Sequence, residues 1–158
     1  MSIPSNSSLN CDPKLPGDTA HQPCVLWIRQ ETFNGVAAHL IETHRQLHQH
    51  MCRQHIQVRW SSLDSLPHES LDGVDLVLID AFVDFESTVQ MAAARLRIKS
   101  RMPLVMLTQA YSSEQLVLAL RSGIDAILSY DTSPALLMAH CNALLRRWRT
   151  GLAAQHRM

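Results

Sequence analysis

Hydrophobic residues along the chain occur in short unbroken runs that are separated by longer segments of mixed polarity. The runs are 24–30, 75–81, 103–108 and 125–129, and a shorter alternating run is found at 56–60. An unbroken apolar run of this length is typical of a strand that is covered on both faces, as in a parallel sheet. The pattern therefore predicts five strands.

The segments between these runs have the apolar spacing of helices. Helices are predicted over 33–51, 85–98 and 114–122, and a last one from Ser133 to about Thr150, where Gly151 is expected to end it. The stretch through Leu63, Leu66 and Leu71 is predicted to be short and helical or irregular. Strands that alternate with helices predict an α/β fold, a doubly wound five-stranded parallel sheet with right-handed crossovers.

The central run places a carboxylate at its end. It begins with Asp75 and stops at Asp80, just before Ala81. Ligands in open parallel sheets bind beyond the carboxyl ends of the strands, so Asp80 lies where a functional carboxylate would be expected. From this stretch alone, an aspartate that caps an ordinary loop is the simpler interpretation.

The composition indicates one domain without a net charge. We expect a disordered or loosely ordered tail over 1–23, a domain over 24–150 and a C-terminal tail over 151–158. The 14 Lys and Arg balance the 14 Asp and Glu. No global field then attracts nucleic acid or an acidic membrane, and binding to either would need a local patch. We therefore expect a protein partner, no membrane partner and no direct binding of nucleic acid.

The four cysteines, Cys11, Cys24, Cys52 and Cys141, form no C-x-x-C pair. This scatter favours reduced thiols and a cytoplasmic setting. The chain also shows neither the pattern of a secretory signal peptide nor an apolar run of spanning length, which agrees with a cytoplasmic location.

The order and spacing of four segments resemble a response-regulator receiver domain over roughly residues 24–149. These segments are DLVLIDA, PLVMLT, SGIDAILS and SPALLMAHCNALLRR. The resemblance implies a flavodoxin-like strand order of 2-1-3-4-5 and a phosphoryl-accepting aspartate at the end of strand three. On this correspondence the acceptor is Asp80, and the hydroxyl residue at the end of strand four is Thr108.

Other positions depart from the pattern of that family. Arg29 and Gln30 stand where receivers carry the acidic pair that holds Mg²⁺, and Tyr130 stands at the position of the lysine that contacts the phosphoryl group. Phosphoryl transfer relies on a metal and a cation to neutralise the developing charge. The resemblance therefore implies a pseudo-receiver in which Asp80 and Thr108 are vestigial, with no enzymatic activity, metal or cofactor.

The same correspondence suggests a contact within the altered pocket. The carboxyl ends of strands one and three are neighbours in a 2-1-3 order, so the residues that follow Ile28 and Ile79 should face one crevice. We expect the guanidinium of Arg29 to pair with the Asp80 carboxylate in place of the metal.

Two further clusters have structural explanations that we prefer to functional ones. His44, His48 and Cys52 are spaced i, i+4 and i+8, which could hold a transition metal, yet no second cluster supplies the remaining ligands. The basic runs at 95–101 and 146–149 fall at the ends of predicted helices, where cations are favoured by the helix dipole.

The apolar residues near the last two helices exceed what one face of a sheet needs. Leu116, Leu120, Leu137 and Trp148 are candidates for a homodimer interface. The favoured function is a phosphorylation-independent regulatory or protein-interaction module of a bacterial signalling or transcription-control system. The alternative is a phosphoacceptor receiver domain that a histidine kinase phosphorylates on Asp80. A small-molecule sensor is disfavoured because the loops lack a glycine-rich phosphate fingerprint.

Overall fold

A computed structural model describes residues 21–30 and 38–157, except for the side chains of residues 38 and 39. Most of the predicted N-terminal tail, residues 1–20, lies outside the described residues. The same holds for the start of the first predicted helix, residues 33–37. The described residues form five strands and four α-helices in alternation, as predicted.

The elements follow the predicted order along the chain. They are β1 (Cys24–Arg29), α1 (Ala38–Arg53), β2 (Gln57–Ser62), β3 (Leu76–Asp80), α2 (Phe85–Ala92), β4 (Leu104–Thr108), α3 (Ser113–Arg121), β5 (Ala126–Ser129) and α4 (Pro134–Gln155). A single 3-10 turn, Leu66–His68, connects β2 to β3, and a π-helical turn, Ala93–Arg97, continues α2.

The five strands form one parallel sheet in the order β2-β1-β3-β4-β5, which confirms the predicted doubly wound topology. Ile28 of β1 lies beside Ile79 of β3, and Asp80 lies beside Leu107 of β4. The last residue of β3 is thus at the carboxyl edge of the central strand, between two neighbouring strands.

Alternate residues of each strand pack into two separate cores. On one face Ile28, Ile79 and Met106 pack with residues of the 3-10 turn, α2 and α3. On the other face Trp27 and Leu78 pack with residues of α1 and α4. Because β1, β3 and β4 are covered on both faces, they consist almost entirely of apolar residues, which explains their unbroken runs in the sequence, whereas the edge strand β2 is partly exposed and more polar.

Side-chain caps fix the beginnings of three helices. Ser112 and Gln115 form a capping box at the start of α3, and the Ser133 hydroxyl accepts from the Leu136 amide at the start of α4. Asp84 caps α2 from a left-handed backbone conformation with φ of 51° and accepts from the Ser87 amide. These caps hold the loops that surround the carboxyl edge of the sheet.

The prediction that Gly151 ends the last helix is wrong, because α4 continues to Gln155. A glycine inside a helix costs about 1 kcal/mol relative to alanine, which weakens a helix without necessarily ending it. Leu152, the next residue, is half-buried and continues the packed side of the helix. The chain therefore stays helical beyond the end of the sheet.

The expectation of reduced thiols holds for two of the described cysteines and fails for a third. Cys24 and Cys141 are free and buried, and burial raises the pKa of the Cys141 thiol to about 12. Cys52 is disulfide-bonded. The absence of a C-x-x-C pair does not exclude a disulfide, so the spacing of the cysteines alone did not reveal this bond.

Candidate functional site

The Asp80 carboxylate, at the end of β3, is completely buried. Its exposed fraction is 0%. Its oxygen Oδ1 accepts hydrogen bonds from the Trp27 indole Nε1 at 3.0 Å and from the Tyr130 hydroxyl. The donors come from the two sides of β3, since Trp27 lies in the neighbouring strand β1 and Tyr130 directly follows the edge strand β5. Two side chains thus occupy the oxygen and cover the carboxylate.

Tyr130 is held in place by its own backbone and by burial. Its amide donates to the Thr108 carbonyl at 2.9 Å, and its side chain is 1% exposed. Burial, followed by the negative charge of Asp80, raises the pKa of the Tyr130 phenol well above its usual value. The hydroxyl therefore stays protonated and remains a donor to the carboxylate at neutral pH.

The second carboxylate oxygen faces a histidine from α1. His44 Nε2 lies 3.4 Å from Asp80 Oδ2, and the His44 ring packs on Trp27 with a centroid distance of 4.1 Å. A proton on this nitrogen would stabilise the carboxylate electrostatically. The carboxylate is thus approached from β1, β5 and α1.

Aromatic rings form a continuous cluster around this carboxylate. Trp60 of β2 stacks on Trp27 at 5.0 Å, and His48 meets the Trp60 ring edge-on at 5.1 Å. On the other side Phe82 stacks on Tyr130 at 4.9 Å. Burial, followed by the charges of His44 and Arg29, lowers the pKa of His48, which favours a neutral ring. The cluster is therefore largely apolar and excludes water from Asp80.

Gln30 connects the end of β1 to the loop that follows Asp80. Its Oε1 accepts from the amides of Phe82 at 2.8 Å and Val83 at 3.1 Å. Its Nε2 donates to the Val83 carbonyl at 3.0 Å and to the Thr88 hydroxyl at 3.3 Å. One neutral side chain thus fixes the loop between β3 and α2.

The structure does not support the predicted ion pair between Arg29 and Asp80. Within the described residues, the ion-pair partner of Asp80 is His44. The guanidinium of Arg29 instead lies over the Trp60 ring, 4.7 Å from its centroid. Burying a guanidinium beside Asp80 would carry a large desolvation cost, whereas the face of a tryptophan offers a cation–π contact at the edge of the cluster.

The residues at this edge do not fit Mg²⁺. That ion requires oxygen ligands in near-octahedral geometry, and the positions after β1 hold Arg29 and Gln30, whose amide oxygen is already engaged with two backbone amides. Asp80 offers no exposed surface. In residues 21–30 and 38–157, no group of three or more His, Cys, Asp or Glu side chains is placed to hold a metal ion.

The histidine and cysteine spacing on α1 serves packing. His44 and His48 are 7% and 8% exposed and lie in the aromatic cluster. The Cys52 sulfur lies 3.6 Å from His48 Nε2, but this cysteine is disulfide-bonded and supplies no thiolate. The structure therefore does not support a metal site formed by His44, His48 and Cys52.

The structure brings some of the predicted residues together and separates others. Asp80, Gln30, Tyr130 and the buried Thr108 lie at the carboxyl edge of the sheet. The four interface candidates do not share one exposed surface, because Leu137 is fully buried and only Leu120, at 48%, is well exposed. Leu116 and Trp148 are half-buried and pack against a core.

Trp27 and His44 are partners of Asp80 that were missed in the sequence. An indole N–H inside a buried strand needs a hydrogen-bond acceptor. The position of Trp27 in the first apolar run could therefore have predicted a buried acceptor beside it. The sequence could not have predicted the position of His44, because its approach to Asp80 depends on how α1 packs over β1.

No family model and no curated protein matches the chain. Solved structures do match it. One is a CheY-like response regulator receiver domain protein from Methanospirillum hungatei, with 18% identity and a TM-score of 0.61 over 82% of this chain and 98% of that chain. Another is the CheY-like protein tadZ from Pseudomonas aeruginosa, with 12% identity and a TM-score of 0.62 over 78% and 99%.

A third similar structure is a putative pilus assembly protein (cpaE) from Burkholderia thailandensis, with 16% identity and a TM-score of 0.59 over 78% of this chain and 97% of that chain. Likeness at these identities shows the fold. The chain has the CheY-like receiver fold that its sequence segments implied. Within the described residues, no helix has both the length and the apolar character needed to cross a membrane.

Proposed function

We propose that this chain is a phosphorylation-independent regulatory module that presents fixed surfaces of a receiver fold to a protein partner. We place it in a bacterial signalling or transcription-control system. The observation that supports this proposal is the complete burial of Asp80 beneath hydrogen-bonded Trp27 and Tyr130. An acceptor that solvent and substrate do not reach is a poor site for phosphoryl transfer.

Two substitutions act together against phosphorylation. Tyr130 donates to Asp80 from the position where the resemblance implies a lysine, and it supplies no positive charge to a phosphoryl group. Gln30 joins β1 to the following loop through a neutral amide, where a receiver would use acidic metal ligands. Without a metal or a cation, the transition-state charge is left without stabilisation.

The same contacts support one fixed conformation. Asp80 receives contacts from β1, from the residue after β5 and from α1, while Gln30 holds the loop before α2. Asp80 Oδ1 accepts two hydrogen bonds, whereas Oδ2 makes no hydrogen bond with a described residue and faces His44 Nε2 at 3.4 Å. These neighbours already surround the carboxylate without a phosphoryl group. The surfaces on either side of the carboxyl edge would then be permanently available to a partner.

The partner system need not include a kinase. One structurally similar protein is described as a putative pilus assembly protein and another as CheY-like, and both share the fold at low identity. We propose regulation by protein contact as the feature common to these settings. A homodimer through the exposed side of α3, where Leu120 and Val117 are 48% and 45% exposed, is part of this proposal.

A beryllofluoride titration tests the proposal against the phosphoacceptor alternative. The full chain is titrated with beryllofluoride and Mg²⁺, and amide chemical shifts near Asp80 are followed. We expect no saturable shift. The matched control is Asp80→Asn, which keeps an oxygen acceptor for Trp27 and Tyr130. Saturable, Mg²⁺-dependent shifts in the wild type that disappear in Asp80→Asn would establish the phosphoacceptor function instead.

A genetic test addresses the regulatory role itself. The phenotype of a chromosomal deletion should be restored equally by the wild type and by Asp80→Asn. Restoration by the wild type alone, with Asp80→Asn stable in the cell, would show that the ionised carboxylate is needed for function.

A further inference from the structure

The zero net charge of the chain conceals a separation of charge between the two edges of the sheet. Each helix runs opposite to the strands, so the helix C-termini lie at the amino edge, where the strands begin. The contact from Arg149 of α4 to the carbonyl of His21, which precedes β1, agrees with this placement. We use amino edge for this end of the molecule.

Cations are concentrated at the amino edge. Arg53 ends α1 and is exposed. The other exposed cations there follow α2, end α3 or belong to the last turns of α4 and the residues after it: Lys99, Arg101, Arg121, Arg146, Arg147 and Arg157.

In the part of the chain that the structure describes, acidic groups at the amino edge are few and mostly engaged. Asp75 is buried and bonds to the Cys24 amide and to His21, and Asp125 pairs with Arg97 at 2.9 Å. Asp72 is exposed. The exposed acids Asp84, Glu86 and Glu114 instead belong to the first turns or caps of helices, at the opposite edge.

Helix dipoles do not account for the whole surplus of cations. Each helix C-terminus is equivalent to about half a negative charge, so four helices offset only about two cations. Among residues 21–30 and 38–157, seven exposed cations lie at this edge, against one exposed acid that has no ion pair with a described cation. The amino edge therefore keeps a positive field of its own.

An exposed aliphatic side chain lies among these cations. Ile98 is 84% exposed, the highest value among the large hydrophobic residues described. It follows the π-helical turn and is bracketed by Arg97 and Lys99. Arg97 donates to the carbonyls of Met102, at 3.0 Å, and Gly123, which anchors this loop to the start of β4 and β5. These hydrogen bonds fix the loop on which the Ile98 side chain is exposed.

We propose that the amino edge docks onto the surface of an anionic lipid bilayer. Ile98 would enter the interfacial region, and Lys99, Arg101 and the exposed arginines of α3 and α4 would contact lipid phosphates. An apolar side chain surrounded by cations is the combination that peripheral membrane binding uses. The cations come from helix ends on both faces of the sheet, so a broad planar partner can contact them together.

Nucleic acid fits this edge less well. Single-stranded nucleic acid uses aromatic stacking platforms, and Trp148, the aromatic residue nearest to the arginines of α4, is half-buried against a core. The expectation of no membrane partner followed from the net charge of the whole chain. The sequence indicated that membrane binding would need a local patch, and the helix ends that meet at the amino edge form such a patch, so the proposal departs from that expectation.

Vesicle flotation with the full chain tests the proposal. The vesicles contain phosphatidylcholine alone, or phosphatidylcholine with about a third of phosphatidylglycerol to provide an anionic surface. We expect binding to the anionic vesicles only, with weaker binding at high salt because screening shortens the range of the attraction. Absence of binding, or equal binding to neutral vesicles, would refute the proposal.

Two variants assign the binding to the amino edge. Lys99→Gln combined with Arg101→Gln should weaken vesicle binding roughly thirtyfold, given the usual contribution of each cation near an anionic surface. Glu86→Gln combined with Glu114→Gln raises the net charge by two at the opposite edge, whereas the first pair lowers it by two at the amino edge. This control should bind like the wild type, and stronger binding would indicate attraction by net charge alone.

A third pair of variants isolates the apolar contribution. Ile98→Ser should reduce binding and leave its salt dependence intact, whereas Ile41→Ser, which changes a half-exposed residue in the first turn of α1, should have no effect. Equal effects of the two changes would contradict a role for Ile98. Salt-sensitive binding to random-sequence DNA without binding to vesicles would assign the amino edge to nucleic acid and overturn the lipid proposal.

Discussion

A buried carboxylate needs donors, and at Asp80 two of them come from side chains that are themselves buried. Trp27 and Tyr130 both donate to Oδ1. Hydrogen bonds to a charged group stabilise a fold by about 1.5–3 kcal/mol each, and removal of one donor from a buried charge leaves part of its desolvation cost uncompensated. The contact between Tyr130 and Asp80 is therefore expected to stabilise the fold.

We predict that Tyr130→Phe lowers the free energy of unfolding at neutral pH by about 1.5–3 kcal/mol, because the Asp80 carboxylate loses a buried donor while the ring packing is kept. Urea denaturation of the full chain measures this effect. Tyr111→Phe, at a residue that is 40% exposed, is the matched control and should change the free energy of unfolding little. Equal effects of the two changes would show that the hydroxyl contact contributes nothing.

The raised pKa of Tyr130 predicts that the effect of the same variant on the free energy of unfolding depends on pH. The pKa of Tyr130 is raised in the folded state, so its stabilising contribution is complete below the unfolded pKa of about 10 and is lost as the pH rises towards the folded value. The stability difference between the wild type and Tyr130→Phe should therefore shrink above about pH 10. A difference that is constant through this range would contradict the raised pKa.

The positions of the altered site could be predicted from the sequence, but its contacts could not. The end of an apolar run placed Asp80 at the carboxyl edge of the sheet, the resemblance to receiver domains implied that Gln30 and Tyr130 lie there too, and the structure has them there. The direction of a side chain depends on packing that spacing does not encode. Arg29 was expected beside Asp80 and lies over Trp60, and His44 was not expected there at all.

At the scale of elements, β1, β3, β4 and β5 were predicted closely because each consists largely of one short apolar run, while the edge strand β2 was indicated by its alternating pattern. The predicted run 103–108 compares with the strand Leu104–Thr108, and the predicted run 125–129 with Ala126–Ser129. Helix ends were predicted less well. The π-helical turn after α2 and the continuation of α4 through Gly151 depend on tertiary contacts more than on local propensity.

A single side chain, that of Gln30, connects the end of β1 to the loop after β3. We predict that Gln30→Ala speeds hydrogen exchange of the Phe82 and Val83 amides, because both donate to the Gln30 side chain. The free energy of unfolding should fall by about 1–2 kcal/mol. Gln90→Ala, at an exposed position of α2, is the control and should leave both amides unchanged.

Unchanged exchange at Phe82 and Val83 in Gln30→Ala would mean that the loop is held by other contacts, such as the hydrogen bond from the Thr88 hydroxyl to the Asp84 carbonyl at 3.0 Å. Faster exchange confined to these two amides would show that Gln30 rigidifies this loop. That outcome would support a fixed carboxyl edge that needs no metal.

At the scale of the whole molecule, two exposed apolar surfaces can be distinguished. Ile98 lies among the cations of the amino edge, and Leu120 and Val117 are exposed three residues apart on α3. Residues three apart on a helix share one side, so these two form a small continuous apolar surface. Leu120 directly precedes Arg121, so this surface borders the amino edge. The proposed dimer and the proposed membrane contact are therefore neighbours at the end of α3.

The predicted homodimer can be tested through Leu120 alone. Leu137 is fully buried, so arginine there would disrupt the core, and Trp148 packs against a core as well. We predict that Leu120→Arg converts a dimer to a folded monomer, since an arginine on each side of a self-complementary interface adds like charges and removes apolar contact. Size-exclusion chromatography with light scattering measures the mass, and circular dichroism checks the fold. Ile41→Arg, at a residue of similar exposure on α1, should remain dimeric. A wild type that is monomeric throughout, or a dimer mass that persists in Leu120→Arg, would rule out this surface and leave the receiver fold to act through contacts with another protein.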